Sequence, residues 1–180
     1  IPPGITTTDD VVWWMRQTMQ DMGLRAWFQP SVEIQAVGQG FNPPASGTIK
    51  LRKRIEPGDL LHCDMGFIYL GLATDQQQHA YILKPGETDA PPGLQAALAA
   101  GNQLQTLHMA QMAVGKSGND VLQATRANAL AAGITPSVYS HPLGYHGHAA
   151  GPTIGLWDQQ DGVPGKGDYQ IFDNTVYSIA

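Results

Sequence analysis

The sequence predicts an α+β fold built from two related helix-plus-strand halves, about residues 4–113 and 115–180. Three observations carry this expectation. Asp120-Val121-Leu122, Thr125, Arg126, Ala129, Ala132, Gly133 and Ile134 repeat Asp10-Val11-Val12, Met15, Arg16, Met19, Met22, Gly23 and Leu24 at a constant offset of 110 residues. Each helical pattern is followed by an extended stretch with the same tripeptide, Pro30-Ser31-Val32 and Pro136-Ser137-Val138. Between them, residues 60–83 read as a strongly apolar β-hairpin. Chance similarity of two amphipathic helices is the plain alternative, but the matched Asp, Arg, Gly and Pro-Ser-Val positions favour a duplicated unit, with a ligand site in the cleft between the halves.

A chain of 180 residues with 42% apolar and 14% charged residues is long enough for one substantial core. The formal charge of -5 and pI near 5.5 argue against a nucleic-acid surface. Its one basic run, Lys50 to Arg54, is short and reads as a solvated strand or loop face. No apolar run is long enough to call for a membrane segment. The single Cys63 excludes an internal disulfide framework and suits a reducing compartment, so the cytoplasm is favoured. The first residues, Ile1-Pro2-Pro3-Gly4, lack an initiator Met and suggest a processed chain or a fragment, in which an upstream export signal would not be visible.

Along the chain, Thr6-Thr7-Thr8-Asp9 supplies N-caps for a first helix whose apolar positions are Val12, Met15, Met19 and Met22, with Gly23 as its stop. Trp13 and Trp14 are neighbours and cannot share one face, so one is expected on the core and the other against a further segment. Residues 26–37 read as a strand interrupted by Pro30, residues 38–47 as a breaker-rich loop, and Thr48 to Leu51 with Ile55 as extended. Glu56-Pro57-Gly58-Asp59 turns into the hairpin, and Lys84-Pro85-Gly86-Glu87 closes it. Pro91-Pro92 opens a long helix with Leu94, Leu98, Gly101, Leu104, His108 and Met112 on one stripe, where His108 reads as a satisfied core or boundary histidine. Asp158 to Asp168 is an acidic loop and only superficially a calcium loop, since Tyr169 stands where an EF-hand needs glutamate. Thr175 to Ala180 reads as a strand that the chain's end interrupts, an edge that calls for a partner.

The hairpin carries the chemistry. A reversal at Tyr69-Leu70 would pair Ile68 with Gly71, Phe67 with Leu72 and Asp64 with Asp75. Directly opposed carboxylates destabilise a hairpin, so a divalent cation, or two about 3.5–4 Å apart, is expected between them. Taken singly, Asp75 is a turn residue and Asp64 a solvent-facing strand acid; together on one apolar hairpin they point to a metal site. Cys63 alternates with Asp64 and reads as a buried core thiol on the other face. His62 and His79 read as edge or core polar residues. His141, His146 and His148, three histidines in eight residues flanked by glycines, suit a binding loop or strand.

Asp64-x-Gly66, Asp75 eleven residues after Asp64, and a His-x-x-Gly segment with His148 seven residues after His141 together resemble the pita-bread metallopeptidases. That family includes methionine aminopeptidases, Xaa-Pro aminopeptidases, prolidases and the metal-free creatinases; the His-to-His spacing is similar to the Xaa-Pro peptidase branch. The resemblance implies a pita-bread fold incomplete at the C-terminus. It also implies Asp64, Asp75 and His141 as metal ligands with Asp75 bridging two ions, and His148 as the non-ligand histidine that hydrogen-bonds substrate. Two divalent ions (Mn, Co or Zn) follow, with manganese favoured on ligand hardness, as does attack of a metal-bridged hydroxide on the scissile carbonyl of a short peptide. A homodimer is compatible with it.

The sequence departs from the family pattern in three places. Ala180 stands where the family's strand leads into its first glutamate ligand and general base; a second glutamate would lie beyond; and no histidine precedes His62 to match the proton shuttle that this branch carries near residues 38–47. The chain as written is therefore expected to hold one metal ion or none and to hydrolyse little. The alternatives are a non-catalytic pita-bread pseudo-enzyme or peptide-binding module and, last, creatinase-like C–N hydrolysis without metal. His146 is the second choice of ligand.

Overall fold

The computed structural model describes residues 2–35 and 53–179. Its order is α1 (Thr8–Asp21), β1 (Arg25–Gln35), β2 (Leu60–Tyr69), β3 (Leu72–Ala73), β4 (Gln76–Tyr81), α2 (Pro92–Met109), α3 (Gly118–Ala131), β5 (Ser140–Gly144), β6 (Gly147–His148) and β7 (Val176–Ile179). The chain forms two compact units. Residues 1–69 with 74–90 make the first, and 70–73 with 91–180 the second.

In the first unit, α1 starts at a reciprocal capping box. The Thr7 side chain accepts from the Asp10 amide, and the Asp10 carboxylate accepts from the Thr7 amide at 2.9 Å. Met15 and Met19 turn inward at helical spacing and are buried, as are Val32 of β1, Leu61 of β2 and Ile55 in the stretch before β2. Trp13 and Trp14 are 64% and 67% exposed, so neither packs on the core; the buried stripe is narrow and runs through Met15 and Met19. Arg16 lies over the Trp13 ring at 4.9 Å, a cation–π contact that covers part of it. Strands β1, β2 and β4 are antiparallel, with β2 central. The β1–β2 register shifts between Ala26 and Phe28 and again between Phe28 and Ser31, the irregularity that Pro30 calls for. Cys63 is half-buried rather than sealed in a core, and burial raises its thiol pKa.

In the second unit, α3 reproduces α1 at the 110-residue offset: Ser117 caps it, Asp120 closes the same reciprocal box, and Gly133, like Gly23, takes a positive φ after the last turn. The pair Leu24 N to Met19 O and Ile134 N to Ala129 O, each 2.9 Å, obeys the same offset. The second Pro-Ser-Val differs: residues 134–139 are irregular, and the following strand is β5. The core gathers Val121, Leu122, Val138, Ile154 and Ile171, with Leu104, Met112 and Tyr177 packed against it. The three-stranded sheet has the order β6-β5-β7.

Gln160 acts as a substitute strand for Val138. Its Oε1 accepts from Val138 N at 2.9 Å, and its Nε2 donates to Val138 O at 2.8 Å and Leu156 O at 2.6 Å. Gln160→Ala leaves the peptide groups of buried Val138 without these partners, and is expected to lower unfolding free energy by about 2–3 kcal/mol in urea titration.

His108 is 1% exposed, with Nδ1 3.1 Å from Thr125 Oγ1 between α2 and α3 and Nε2 without a hydrogen-bond partner among the described residues. Burial lowers its pKa. The unfolded chain therefore takes up this proton before the folded one does, so stability is full above about pH 6.5 and falls as pH drops below it. Thermal unfolding at pH 7.5 and pH 5 should show a midpoint drop that is smaller in His108→Leu.

Candidate metal centre

Asp64 and Asp75 sit on one hairpin, but not directly opposed. Asp64 faces Gln77 across the β2–β4 ladder, and Met65 faces Gln76. The expected register is displaced by two because the chain reverses at Leu70-Gly71, both with positive φ (51° and 82°), one residue later than the Tyr69-Leu70 reversal read from sequence. A two-residue displacement preserves alternation. Asp75 immediately precedes β4, outside the paired residues; continuing the alternation of the ladder by one step puts it on the face of Asp64 as a diagonal neighbour, and both residues are half-buried.

The residue before Asp75 fixes its position. Thr74 donates its amide to Phe67 O at 2.8 Å, accepts the Phe67 amide on Oγ1 at 3.1 Å, and accepts the Trp27 indole N–H on its carbonyl at 2.6 Å. Gly66, in the Asp-x-Gly signature, is where those aromatics approach: a Cβ there would lie 2.2 Å from Phe28 Cε1 and 2.3 Å from Trp27 Nε1. The β1 irregularity lets two consecutive aromatic residues, in edge-to-face contact, both reach this backbone.

The second unit orders its histidines in the same way. Leu143 faces His148 in the β5–β6 hairpin, so His141, two residues before Leu143, is His148's diagonal neighbour; the ring centres are 3.9 Å apart. His141 is buried and His148 exposed. β5 is held on both sides: His141 faces Ser178 of β7, the Ser140 hydroxyl donates to Ser178 O, and Ser140 exchanges backbone hydrogen bonds of 2.9 and 2.8 Å with Ile154. His141 Nδ1 lies 3.3 Å from Pro142 O. A proton on Nδ1 would give that carbonyl, which already accepts from Ala149 N at 2.9 Å, a second donor and would put the lone pair on Nε2, the usual state of a ligand histidine. His146 occupies the exposed two-residue turn, edge-on to Tyr145.

Each predicted pair is thus presented as diagonal neighbours on one face of a hairpin. Thr74, Trp27 and Ser140 are positioning residues that sequence reasoning missed; only Thr74, preceding an acid in an apolar hairpin, carried a local signal. Ala180 and the loop of residues 38–47, where the glutamate and the early histidine were expected, lie outside the described residues.

The sequence profile of metallopeptidase family M24 matches residues 1–176. The chain belongs to metallopeptidase family M24. Its fold is the pita-bread fold of that family, of which it covers part. The X-Pro aminopeptidase of Thermotoga maritima MSB8 superposes with a TM-score of 0.69 at 18% identity, over 99% of this chain and 46% of that one. The prolidase of Thermococcus sibiricus gives 0.69 at 18% identity, over 98% and 44%. The methionine aminopeptidase of Rickettsia prowazekii gives 0.64 at 14% identity, over 98% and 68%. This M24 chain therefore spans less than half the length of the first two. No curated protein matches the sequence. M24 peptidases bind divalent metals, and the donors here, two carboxylates and an imidazole, fit such ions by type. Among the described residues no helix is long and apolar enough to cross a membrane.

Proposed function

We propose that this chain carries the metal-binding part of a peptidase acting on the N-terminal bond of short peptides, with Xaa-Pro dipeptides as the favoured substrates. The observation that carries the reading is the paired arrangement of its four site residues, Asp64 with Asp75 and His141 with His148, on two hairpins of an M24 chain. Asp64, Asp75 and His141 are the ligands. Manganese, cobalt and zinc all suit this mixed oxygen and nitrogen set, with manganese favoured by the two carboxylates. When bound, the metal supplies Lewis acidity and lowers the pKa of water.

The protein's own residues orient the reaction. Thr74 holds Asp75 in place through its three backbone and side-chain hydrogen bonds. His148, exposed beside buried His141, is the residue that meets the substrate, donating a hydrogen bond to the oxygen on which charge develops.

The test is hydrolysis of Ala-Pro and Met-Ala by protein expressed from the complete reading frame and loaded with Mn²⁺. Release of the N-terminal residue that stops on chelation is expected. Tight metal binding with no release would assign the chain to the non-catalytic, peptide-binding reading that Ala180 favours, and absence of both would sink the peptidase reading.

A further inference from the structure

We propose that His62 and His79 form a second divalent-metal site on the first unit, flanked by Glu33 and Gln77 and separate from the Asp64, Asp75 and His141 set. The ladder registers set Glu33 of β1 across from His62 of β2, and His62 across from His79 of β4. Partners directly across a ladder present their side chains on one face with Cβ atoms about 5 Å apart. Two histidines and a carboxylate therefore form one row across three strands.

The two rings already have chelate spacing. Their centres are 5.0 Å apart with planes inclined at 50°. Two imidazoles bonded at about 2.0–2.1 Å to one tetrahedral ion have ring centres about 5 Å apart, so an ion can enter with small ring rotations. Gln77 Oε1 lies 3.2 Å from His62 Nε2, where it orients the ring or supplies a further oxygen. Glu33, across from His62 on β1, adds negative charge to the row without being gathered to ligand distance with the two rings. His79 is exposed and His62 half-buried, which leaves the row open to ions from solvent. Imidazole nitrogen selects Zn²⁺, Ni²⁺ or Cu²⁺ over Mg²⁺ and Ca²⁺.

His62 precedes Asp64 by two residues on the same strand face, about 7 Å along β2, so an ion on the histidine row would be a close neighbour of the aspartates. The chemistry differs: imidazoles dominate one row and carboxylates the other. The site thus suits a softer ion than manganese.

The experiment is Zn²⁺ titration of the 180-residue chain, followed by calorimetry and by the ring signals of isotope-labelled histidines. In wild type the His62 and His79 signals should shift with the first equivalents. His79→Gln, an exposed replacement on β4, should lose one binding event or weaken it at least tenfold with an unchanged circular dichroism spectrum. The double variant Asp75→Asn/His141→Ala, which disables the proposed peptidase centre, should retain that event. Unmoved His62 and His79 signals, or an unaltered titration in His79→Gln, would overturn the proposal. So would loss of the event in the double variant, since the pair would then belong to the Asp75 centre.

Discussion

In protein expressed from the complete reading frame, and on the function proposed above, replacing His148 with alanine is expected to cut peptide turnover by about 10²–10⁴-fold while leaving metal affinity within about twofold of wild type. The expectation follows from the contrast between two adjacent rings. His141 is buried on β5, held between β7 and the backbone of Ile154, whereas His148 is exposed on the short strand β6 with its ring 3.9 Å from that of His141. A buried ring anchored in a central strand suits a ligand, which must not move. An exposed neighbour suits a group that meets successive substrates. Stopped assays with Mn²⁺-loaded protein and parallel metal titrations separate the two roles. If His148→Ala loses metal as readily as His141→Ala, His148 is a ligand and its assignment fails.

Gly66→Ala should be among the most damaging single-methyl additions in the first unit, costing about 2–4 kcal/mol of unfolding free energy. The added carbon would lie 2.2 Å from Phe28 Cε1 and 2.3 Å from Trp27 Nε1, far inside van der Waals contact. Both obstacles are parts of rigid rings rather than the ends of flexible chains, and they pack edge-to-face at 4.6 Å, so one cannot retreat without the other. The damage should reach the metal site as well. Trp27 donates its indole proton to Thr74 O, and Thr74 precedes Asp75, so moving the indole releases the residue that positions the acid. Urea unfolding followed by tryptophan fluorescence reads the stability, and Mn²⁺ titration reads the site. Wild-type stability in Gly66→Ala would show that the aromatic approach is not tight.

These two cases show what the sequence could and could not reveal. The ends of the first helix were legible because their signals are local: the caps offered by Thr6 to Asp9 include Thr7, which forms a capping box with Asp10, and Gly23 is the stop, whereas Ser117, the cap of α3, was not singled out. The 110-residue offset holds in the capping of both helices. His108 was legible as a core histidine from its place on an apolar stripe. The pairing of Asp64 with Asp75 was not, because the turn puts Leu70, a residue with a side-chain penalty for positive φ, in the first of two left-handed positions. That choice is driven by the hairpin's pairing, not by Leu70 itself, and it slid the register by two. A slip of two keeps the alternation, so the proposed metal site does not depend on the direct pairing read from sequence. Trp13 and Trp14 failed differently: neighbouring helical residues share no stripe, and here the inward stripe bypasses both. The side-chain links of Gln160 to Val138, and of Trp27 to Thr74 across 47 positions, join residues far apart in sequence and leave no periodic trace.

Asp64, Asp75 and His141 are the metal ligands in the function proposed above. Calorimetric Mn²⁺ titration of the wild-type chain against Asp64→Asn, Asp75→Asn and His141→Ala tests this assignment most directly. Saturable binding is expected in wild type, weakened at least about tenfold by each replacement, with no loss of folded structure by circular dichroism. Manganese binding that survives all three replacements unchanged would contradict it.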